Sequence, residues 1–278
     1  MDISAPYADP GKPRFAFNNA FLTPGAAITV SSENSNFLHE NAYDWNEQTF
    51  WQPASGGASW LQCLLPLPGI VNYFALHSTT LGANGGSYDL QYSLDSGSTW
   101  ISALGGAVFP TLNYDQFGVP TGMPVQYKVF APVIASLWRF WMSSSSPSFV
   151  GVVAFGQDFE MERGCWTGTT PPTLGRTSLI TNSKTVAGKF IGRTIIQQNI
   201  SSSFKFQYLT ESFIRGYWMP FMRAMEKYPF FILWNDVNWP YEAVFAWCSG
   251  MPSAPQNQNA GSIRYMSVDI TFDGNQEA

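Results

Sequence analysis

The sequence predicts an all-β-dominated protein with one helix. Apolar and polar residues alternate within several segments, as they do in strands, where successive side chains point to opposite faces. The clearest alternation lies in residues 88–94, 204–208 and 266–272. Two further runs, 228–234 and 243–248, are apolar at nearly every position. Such runs indicate central strands that are covered on both faces.

One segment departs from the strand pattern. Between residues 211 and 227, apolar side chains recur at helical spacing and form a broad stripe. Thr210 is a suitable N-cap, and Glu211 lies in the first turn, where the helix dipole favours an acidic side chain. Pro220 removes a backbone donor and predicts a kink. We therefore expect a kinked helix at about 211–227 that packs on a sheet.

The composition indicates a folded chain with few surface charges. Charged residues make up 12% of the 278 residues, about half the usual share of roughly 25%. The net charge is -5, and no run of Lys or Arg forms a basic patch. Because nucleic-acid binding depends on neutralising phosphates, we expect no nucleic-acid partner. Such a surface suits packing into a large assembly or contact with a glycan.

The cysteines and the start of the chain give no indication of secretion. Cys63, Cys165 and Cys248 are odd in number and far apart, which predicts buried free thiols and no zinc pair, with one bridge left open. Residues 1–6 do not begin a signal peptide, and no stretch of about 18 apolar residues predicts a membrane span. We expect synthesis in the cytoplasm and no membrane partner.

The sequence offers few groups for catalysis. His39 and His77 are its only imidazoles, and His77, within an apolar strand, is expected to be structural. No Gly-x-Ser-x-Gly or His-Glu-x-x-His motif occurs. A glycosidase needs two carboxylates about 5–10 Å apart, and Asp44 and Glu47 are candidates by proximity alone. We predict no enzyme activity, no catalytic residue, no cofactor and no metal. A hydrolase stays open as a further hypothesis.

Several segments of the first half resemble discoidin, or galactose-binding-like, domains. They follow the order of that family: 42–51 with its Asp, Thr and Trp, then 60–65, 70–76, the strand, turn and Trp of 88–100, 137–141 with its Arg, and 150–156. The resemblance covers about residues 30–157. It implies an eight-stranded jelly-roll sandwich whose end loops bind ligands, often sugars. It also places Asp44 near the family's structural calcium, although we assign no metal there.

The second half is similar to the tail-tube-like modules of distal tail and baseplate proteins of long-tailed bacteriophages. The shared order is an alternating strand (203–209), the helix, two apolar strands (229–234 and 242–247), a long loop (251–261) and a final strand (263–272). The resemblance implies a virion protein at the tail tip, made in the host cytoplasm. It also implies a homo-oligomeric ring, a hexamer or a trimer, with tail tube, hub and tape-measure proteins as partners.

These observations together predict two domains. Residues 1–157 form a discoidin-like (galactose-binding-like) jelly-roll β-sandwich, and residues 158–278 form a tail-tube-like β-sandwich domain with one flanking α-helix. The predicted function is that of a ring-forming structural virion protein of a phage tail tip or baseplate, whose first domain contacts host-surface glycans. The alternative is a free carbohydrate-binding module protein without a virion role.

Three residues are candidates for glycan binding. An aromatic ring can stack on the apolar face of a sugar, and Trp45 precedes a polar turn, so we expect an exposed platform there. His39 and Asn84 lie in predicted loops and are further candidates, although a solvated loop is the alternative interpretation of His39. Trp51 and Trp60 match core positions of the discoidin family and are expected to be buried.

Overall fold

The computed structural model describes residues 11–110, 112–114, 120–166, 168–260 and 263–275. Strands dominate it, as the alternating patterns predict. No helix within these ranges is long and apolar enough to cross a membrane. The prediction that the chain lacks a signal peptide concerns its first residues, which lie outside the described part.

The strands form a six-stranded sheet, an eight-stranded sheet and a two-stranded sheet. In chain order they are β1 (Arg14–Ala16), β2 (Ala27–Val30), β3 (Gly57–Thr79), β4 (Ser87–Ser93), β5 (Ile101–Ser102), β6 (Asn113–Tyr114), β7 (Pro120–Gly122), β8 (Gln126–Ser144), β9 (Val150–Gly156), β10 (Phe159–Glu160), β11 (Arg176–Lys184), β12 (Phe190–Thr210), β13 (Phe230–Asn235), β14 (Trp239–Cys248), β15 (Gln256–Ala260) and β16 (Ile263–Asn275). Short 3-10 turns cover Ala20–Leu22, His39–Ala42 and Pro172–Leu174. The helix consists of Glu211–Phe213, Ile214–Trp218 and Met219–Met225.

The six-stranded sheet folds over on itself and forms the predicted sandwich. Its order is β2–β3–β8–β4–β5, and β9 pairs with the second half of β3. The pairing of β3 with β8 breaks between Leu64 and Gly69, where Pro66 and Pro68 have no N–H to donate. Both strands therefore bend from one layer of the sandwich into the other. Counting the halves of β3 and β8 separately gives the eight strands of a jelly roll.

The bends join segments that the sequence predicted as separate strands. Residues 60–65 and 70–76 both belong to β3, which is 23 residues long. The discoidin-like segment 137–141 lies in the second half of β8, which spans Gln126–Ser144. Each bend interrupts the alternation of inward and outward side chains. The sequence therefore shows two strand patterns where the backbone forms one strand.

The core of the sandwich is rich in aromatic rings. Phe74 stacks on Tyr88 and on Phe140, with ring centroids 5.3 Å and 5.7 Å apart. Trp51 is fully buried, as the discoidin resemblance implies. The prediction that Trp60 is buried is wrong: it is half-exposed on the outer face of the sheet. Alternation explains the difference, because the next residue, Leu61, points into the core.

The eight-stranded sheet carries the helix on one face. Its order is β10–β1–β13–β14–β16–β12–β11, with β15 paired to β16. Trp218 and Phe221 of the helix are buried against Phe206, Phe230 and other apolar residues of this sheet. The helix runs over residues 211–225, which confirms the predicted helix and its packing on a sheet.

The predicted irregularity of the helix is a π-helical turn. Thr210 caps the helix, its hydroxyl accepting the N–H of Phe213 at 3.3 Å. The residues Ile214–Trp218 are π-helical and lie just before Pro220. Proline has no N–H to donate within a helix, and a π-turn is one way in which a helix accommodates that loss.

One segment that the sequence predicted as a loop contains a strand. Within the predicted loop 251–261, the residues Gln256–Ala260 form β15 and pair with β16; Gly261 lies outside the described residues. Polar side chains gave no strand pattern there, but main-chain pairing does not require one.

One short strand, β1, does not follow the predicted domain boundary at 157/158. β1 precedes the sandwich in sequence but pairs with β10 and β13 of the eight-stranded sheet. The sandwich is thus inserted into the second domain, and the chain enters and leaves it side by side. The side chain of Asn18 donates to the carbonyl of Gln157 at 3.3 Å. A Cβ on Gly156 would lie 2.6 Å from the Asn18 carbonyl, so the close approach requires glycine.

The sandwich and the eight-stranded sheet share a buried apolar contact, which we call the joint. From the sandwich, the joint includes Tyr73, Ala75, Val125, Tyr127, Val152, Ala154 and Trp45. From the eight-stranded sheet, it includes Ala16, Phe231, Leu233, Ala243 and Phe245. Tyr73 and Tyr127 stack at 5.6 Å. Burial raises the pKa of both phenols well above the ordinary value.

A charged network lies at the edge of the joint and connects the domains at the chain crossover. Arg14 of β1 contacts Asp158 at 3.0 Å, Glu160 at 2.8 Å and Asp236 at 3.0 Å. The side chain of Asp158 is fully buried and also accepts the hydroxyl of Tyr127 at 2.9 Å. Burial raises the pKa of Asp158, and Arg14 opposes that shift.

No disulfide joins Cys63, Cys165 and Cys248, all of which the structure describes. Cys63 is buried in the sandwich core, and burial raises the pKa of its thiol to about 12. The prediction that all three thiols are buried is wrong for Cys165 and Cys248, which are half-buried.

We expect Arg14→Met to lower the free energy of unfolding by about 3–5 kcal/mol, because the buried Asp158 carboxylate would lose its cation. The added substitution Asp158→Asn should restore part of the loss. Arg215→Met is the matched control, since Arg215 and Glu211 form an exposed ion pair and its loss should not be measurable. Chemical denaturation measures all three variants. An equal effect of Arg14→Met and Arg215→Met would contradict the assignment.

Candidate functional site

The loops at one end of the sandwich are the first candidate site. Asn84 donates its side-chain amide to the hydroxyl of Ser148 at 2.9 Å, and its carbonyl accepts the hydroxyl of Ser145 at 3.2 Å. The rings of Phe50 and Phe149 pack beside them at 4.6 Å. Asn84 therefore connects two loops to each other, and one of its two side-chain N–H groups is already used within the protein.

His39 is also hydrogen-bonded to another residue of the protein. Its Nδ1 lies 2.8 Å from a carboxylate oxygen of Glu33, which also accepts the backbone N–H of His39 at 2.9 Å. The hydrogen bond from His39 is the main reason that the pKa of Glu33 is lowered. Among the interactions of the described residues, none brings His39, Asn84 and Trp45 into one site.

Trp45 lies in the joint. Its ring stacks on Phe245 at 6.2 Å and packs against Phe231 at 5.8 Å, and only 5% of the residue is exposed. Its backbone has a φ of 64°, a left-handed conformation that is unusual for a bulky residue and turns the chain sharply here. The prediction that Trp45 is an exposed sugar platform is wrong, because the eight-stranded sheet covers the ring.

The neighbouring Glu47 connects the two domains by polar contacts. A carboxylate oxygen of Glu47 lies 2.5 Å from Nε2 of the buried His77. Both oxygens accept the side-chain amide of Asn275, at 3.1 Å and 3.0 Å, from the end of β16. Burial would raise the pKa of Glu47, but the hydrogen bonds and charge of His77 outweigh it, so the pKa is lowered.

These contacts bear on the hydrolase hypothesis. Glu47 is bound by His77 and Asn275, while Asp44 accepts the Thr49 hydroxyl at 2.6 Å and the Asn46 N–H at 2.8 Å. Both carboxylates thus have structural partners within the protein. A group of three or more acidic, His or Cys side chains suited to a metal ion is absent from the residues that the structure describes.

The second candidate site is the hairpin of β11 and β12, which the sequence patterns did not predict. Residues 200–210 of β12 pair with β16, but the earlier part of β12 pairs with β11 alone. The hairpin therefore extends beyond the sheet as a two-stranded ribbon. Apolar side chains on it are exposed: Leu179, Ile180, Val186, Phe190, Ile191, Ile195 and Ile196. Exposed apolar clusters of this kind usually mark interaction surfaces.

The hairpin is basic as well as apolar. Residues 176–200 contain four of the 14 Lys and Arg residues and none of the 19 Asp and Glu residues. The remainder of the chain is correspondingly acidic. The sequence does contain an indication of this hairpin. Its residues include many β-branched side chains, but they lack the alternation that is typical of a strand with one buried face.

Comparison with known families assigns the first half of the chain. A family model described as the F5/8 type C domain matches residues 27–152. These residues form an F5/8 type C domain. The match covers the sandwich from β2 into β9 and leaves the eight-stranded sheet unassigned. A comparison with curated proteins gave no match.

Among solved structures, several carbohydrate-active proteins are similar. A GH29 fucosidase of Ruminococcus gnavus in complex with fucose has 13% identity and a TM-score of 0.40, covering 51% of this chain and 27% of that chain. The chitosan-binding module 1 of a chitosanase/glucanase from Paenibacillus sp. IK-5 has 19% identity and a TM-score of 0.38, covering 50% and 99%. A pectin binding carbohydrate binding module has 20% identity and a TM-score of 0.37, covering 47% and 89%.

We expect Trp45→Ala to lower the free energy of unfolding by about 3–5 kcal/mol, because it opens a cavity between the F5/8 type C domain and the eight-stranded sheet. Trp239→Ala is the control, since Trp239 is exposed and its loss should change stability by less than about 0.5 kcal/mol. Thermal or chemical unfolding gives both values. A stable Trp45→Ala variant would show that the ring is not part of the joint.

Glu47→Gln should produce a pH-dependent loss of stability. Because the pKa of Glu47 is lower in the folded protein than in the unfolded chain, its charge stabilises the fold above the ordinary pKa of glutamate. That contribution disappears as the pH falls through the lowered pKa. Denaturation curves of wild type and variant should therefore differ near neutral pH and converge in acid. A difference that is constant with pH would contradict this role.

Proposed function

We propose that the protein is a ring-forming structural protein of a virion, at the tail tip of a long-tailed bacteriophage, and that it carries its F5/8 type C domain as a rigidly mounted binding module. The observation that carries the assembly part of this proposal is the exposed, basic and apolar hairpin of β11 and β12. The phage setting is supported by the order of elements in the second half.

The hairpin favours assembly because its apolar side chains are exposed and are not covered by the described part of its own chain. A two-stranded ribbon in water is marginally stable at best. Each exposed isoleucine or leucine that becomes buried in a partner contributes about 1.5–3 kcal/mol. The outer edge of β11 also leaves main-chain groups free to pair with another strand. Docking on a neighbour would satisfy both the apolar side chains and this edge.

The occupant that we propose for the hairpin surface is a second copy of the chain. The hairpin has four basic and no acidic residues, while the chain as a whole has a net charge of -5. The basic hairpin of one copy and the acidic remainder of the next therefore attract each other. A contact between two different surfaces is heterologous, and such contacts close into rings when the rotation allows it. We propose a hexamer or trimer whose partners are tail tube, hub and tape-measure proteins.

The F5/8 type C domain is proposed to contact host-surface glycans. Similar modules are named as binding chitosan or pectin, and the insertion into the second domain gives this domain two covalent connections. The joint and the Arg14 network fix its orientation, so a ring would present every copy in the same way. The alternative function is a free carbohydrate-binding module protein, which would use the same domain without a ring or a virion.

Ile195→Asp together with Ile196→Asp should abolish assembly, because two charges would replace apolar side chains on the hairpin. We expect wild type to form one closed oligomer and the double variant to weaken association by about 100-fold or more. Leu67→Asp is the control, since Leu67 is 76% exposed on the sandwich and should leave assembly unchanged. Native mass spectrometry reports the copy number, and circular dichroism checks the fold. A monomeric wild type at micromolar concentration would contradict the ring.

The virion location needs a separate measurement. Quantitative mass spectrometry of purified particles should find the protein at a fixed copy number per tail, a multiple of three. Its absence from particles, combined with glycan binding by the monomer, would favour the free carbohydrate-binding module protein.

A further inference from the structure

The outer face of the sandwich sheet has a row of tryptophan, arginine and glutamine side chains that the loop-end site does not include. Leu61, Leu90 and Phe140 point into the core, so the residues next to them on β3, β4 and β8 point outward. The strand register places Trp60 directly opposite Trp141, and Arg139 between Gln62 and Gln91. Residues paired across strands lie about 4.5–5.5 Å apart, so these side chains form one continuous surface.

The tryptophans of this face differ from those of the core. The buried Trp51 and Trp138 donate their indole N–H groups to the carbonyls of Ser32 and Ala135. Trp60, Trp100 and Trp141 are half-exposed, and no hydrogen bond within the described part of the chain uses their indole N–H groups. These three donors are therefore available to a partner outside the chain.

Arg139 is held in one orientation by its neighbours. Its guanidinium lies over the ring of Trp100 at 4.0 Å, and its Nε donates to Gln91 at 2.7 Å. Gln91 in turn donates to Asp89 at 2.8 Å, and Asp89 accepts the hydroxyl of Ser102 at 2.8 Å. Within the described residues, neither terminal nitrogen of Arg139 has a hydrogen-bond acceptor. A guanidinium that is oriented in this way can bind a carboxylate through two parallel hydrogen bonds.

We propose that this face binds an acidic polysaccharide, with Trp60 and Trp141 stacking on sugar rings and Arg139 binding a uronic acid carboxylate. Flat aromatic rings suit the apolar faces of sugars, and the amide of Gln62 suits hydroxyl groups. The two terminal nitrogens of the Arg139 guanidinium select the acidic sugar. The surface is a sheet face and not a pocket, which suits an internal stretch of an extended chain. The inference rests on the proposed glycan contact of the F5/8 type C domain, but not on ring assembly.

The test uses the full chain, with polygalacturonate as the acidic probe and its methyl-esterified form as the neutral probe, in calorimetry or affinity electrophoresis. Trp60→Ala and Trp141→Ala should each weaken binding of polygalacturonate by about 30-fold. Arg139→Gln should weaken binding of the acidic probe by about 10-fold or more and leave that of the ester unchanged. Asn84→Ala is the control at the loop end and should bind like wild type. Unchanged unfolding temperatures confirm that the variants fold.

Three outcomes would overturn the inference, and they can be told apart. Loss of binding in Asn84→Ala but not in the tryptophan variants would place the glycan at the loop end and leave the proposed function standing. No binding of either probe by wild type would reject this ligand class, and a glycan array that is also negative would reject the proposed glycan contact itself. A changed copy number for Trp60→Ala in native mass spectrometry, without changed binding, would assign this face to a second copy of the chain.

Discussion

The joint between the sandwich and the eight-stranded sheet is the contact on which the rest of the structure depends. An antiparallel sheet often packs one face on its core and leaves the other in water. Here the layer built from the second half of β3, the first half of β8 and β9 is apolar on both faces, because its outer face packs on Phe231 and Phe245. Separating the domains would expose these rings and the buried phenols of Tyr73 and Tyr127.

The polar contacts around the joint fix its geometry more than they strengthen it. Ion pairs that are taken out of water gain little net free energy, because desolvation offsets the attraction between the charges. They act on orientation, since Arg14 contacts Asp158, Glu160 and Asp236 at the same time in this arrangement of the strands. The contact of Glu47 with His77 and Asn275 adds a second fixed point. Two covalent connections and two polar contacts leave the inserted domain little freedom to rotate.

The joint also determines which surfaces remain for function. It covers Trp45 and Glu47, so the segment with the strongest discoidin resemblance is used to hold the domains together. The loop end keeps His39 and Asn84, both engaged with other residues of the chain. Two surfaces that we propose for partners lie outside the joint: the hairpin of β11 and β12, for a second copy, and the outer sheet face with Trp60, Trp141 and Arg139. Because these surfaces belong to different domains, assembly and glycan contact need not compete.

The sequence by itself determined the local structure. Alternation predicted the strands at 88–94 and 266–272, Thr210 and the apolar stripe predicted the helix, and ordered family segments predicted the sandwich. These features depend on neighbours along the chain, so a linear pattern contains them. The prolines at 66 and 68 were equally visible, but only the pairing of β3 with β8 decided that they bend one strand and do not separate two.

Only the tertiary structure decided which faces are covered. Alternation predicts which face of a sheet a side chain points to. It does not predict what packs against that face. Trp45 is buried by Phe231 and Phe245, nearly 200 residues away, whereas Trp60 is half-exposed on the outer face of its sheet. For the same reason, the sequence did not predict the pairing of β1 with the second domain or the exposure of the hairpin. Burial is a property of residues that are distant in sequence, and for that reason the candidate sites changed while the fold class did not.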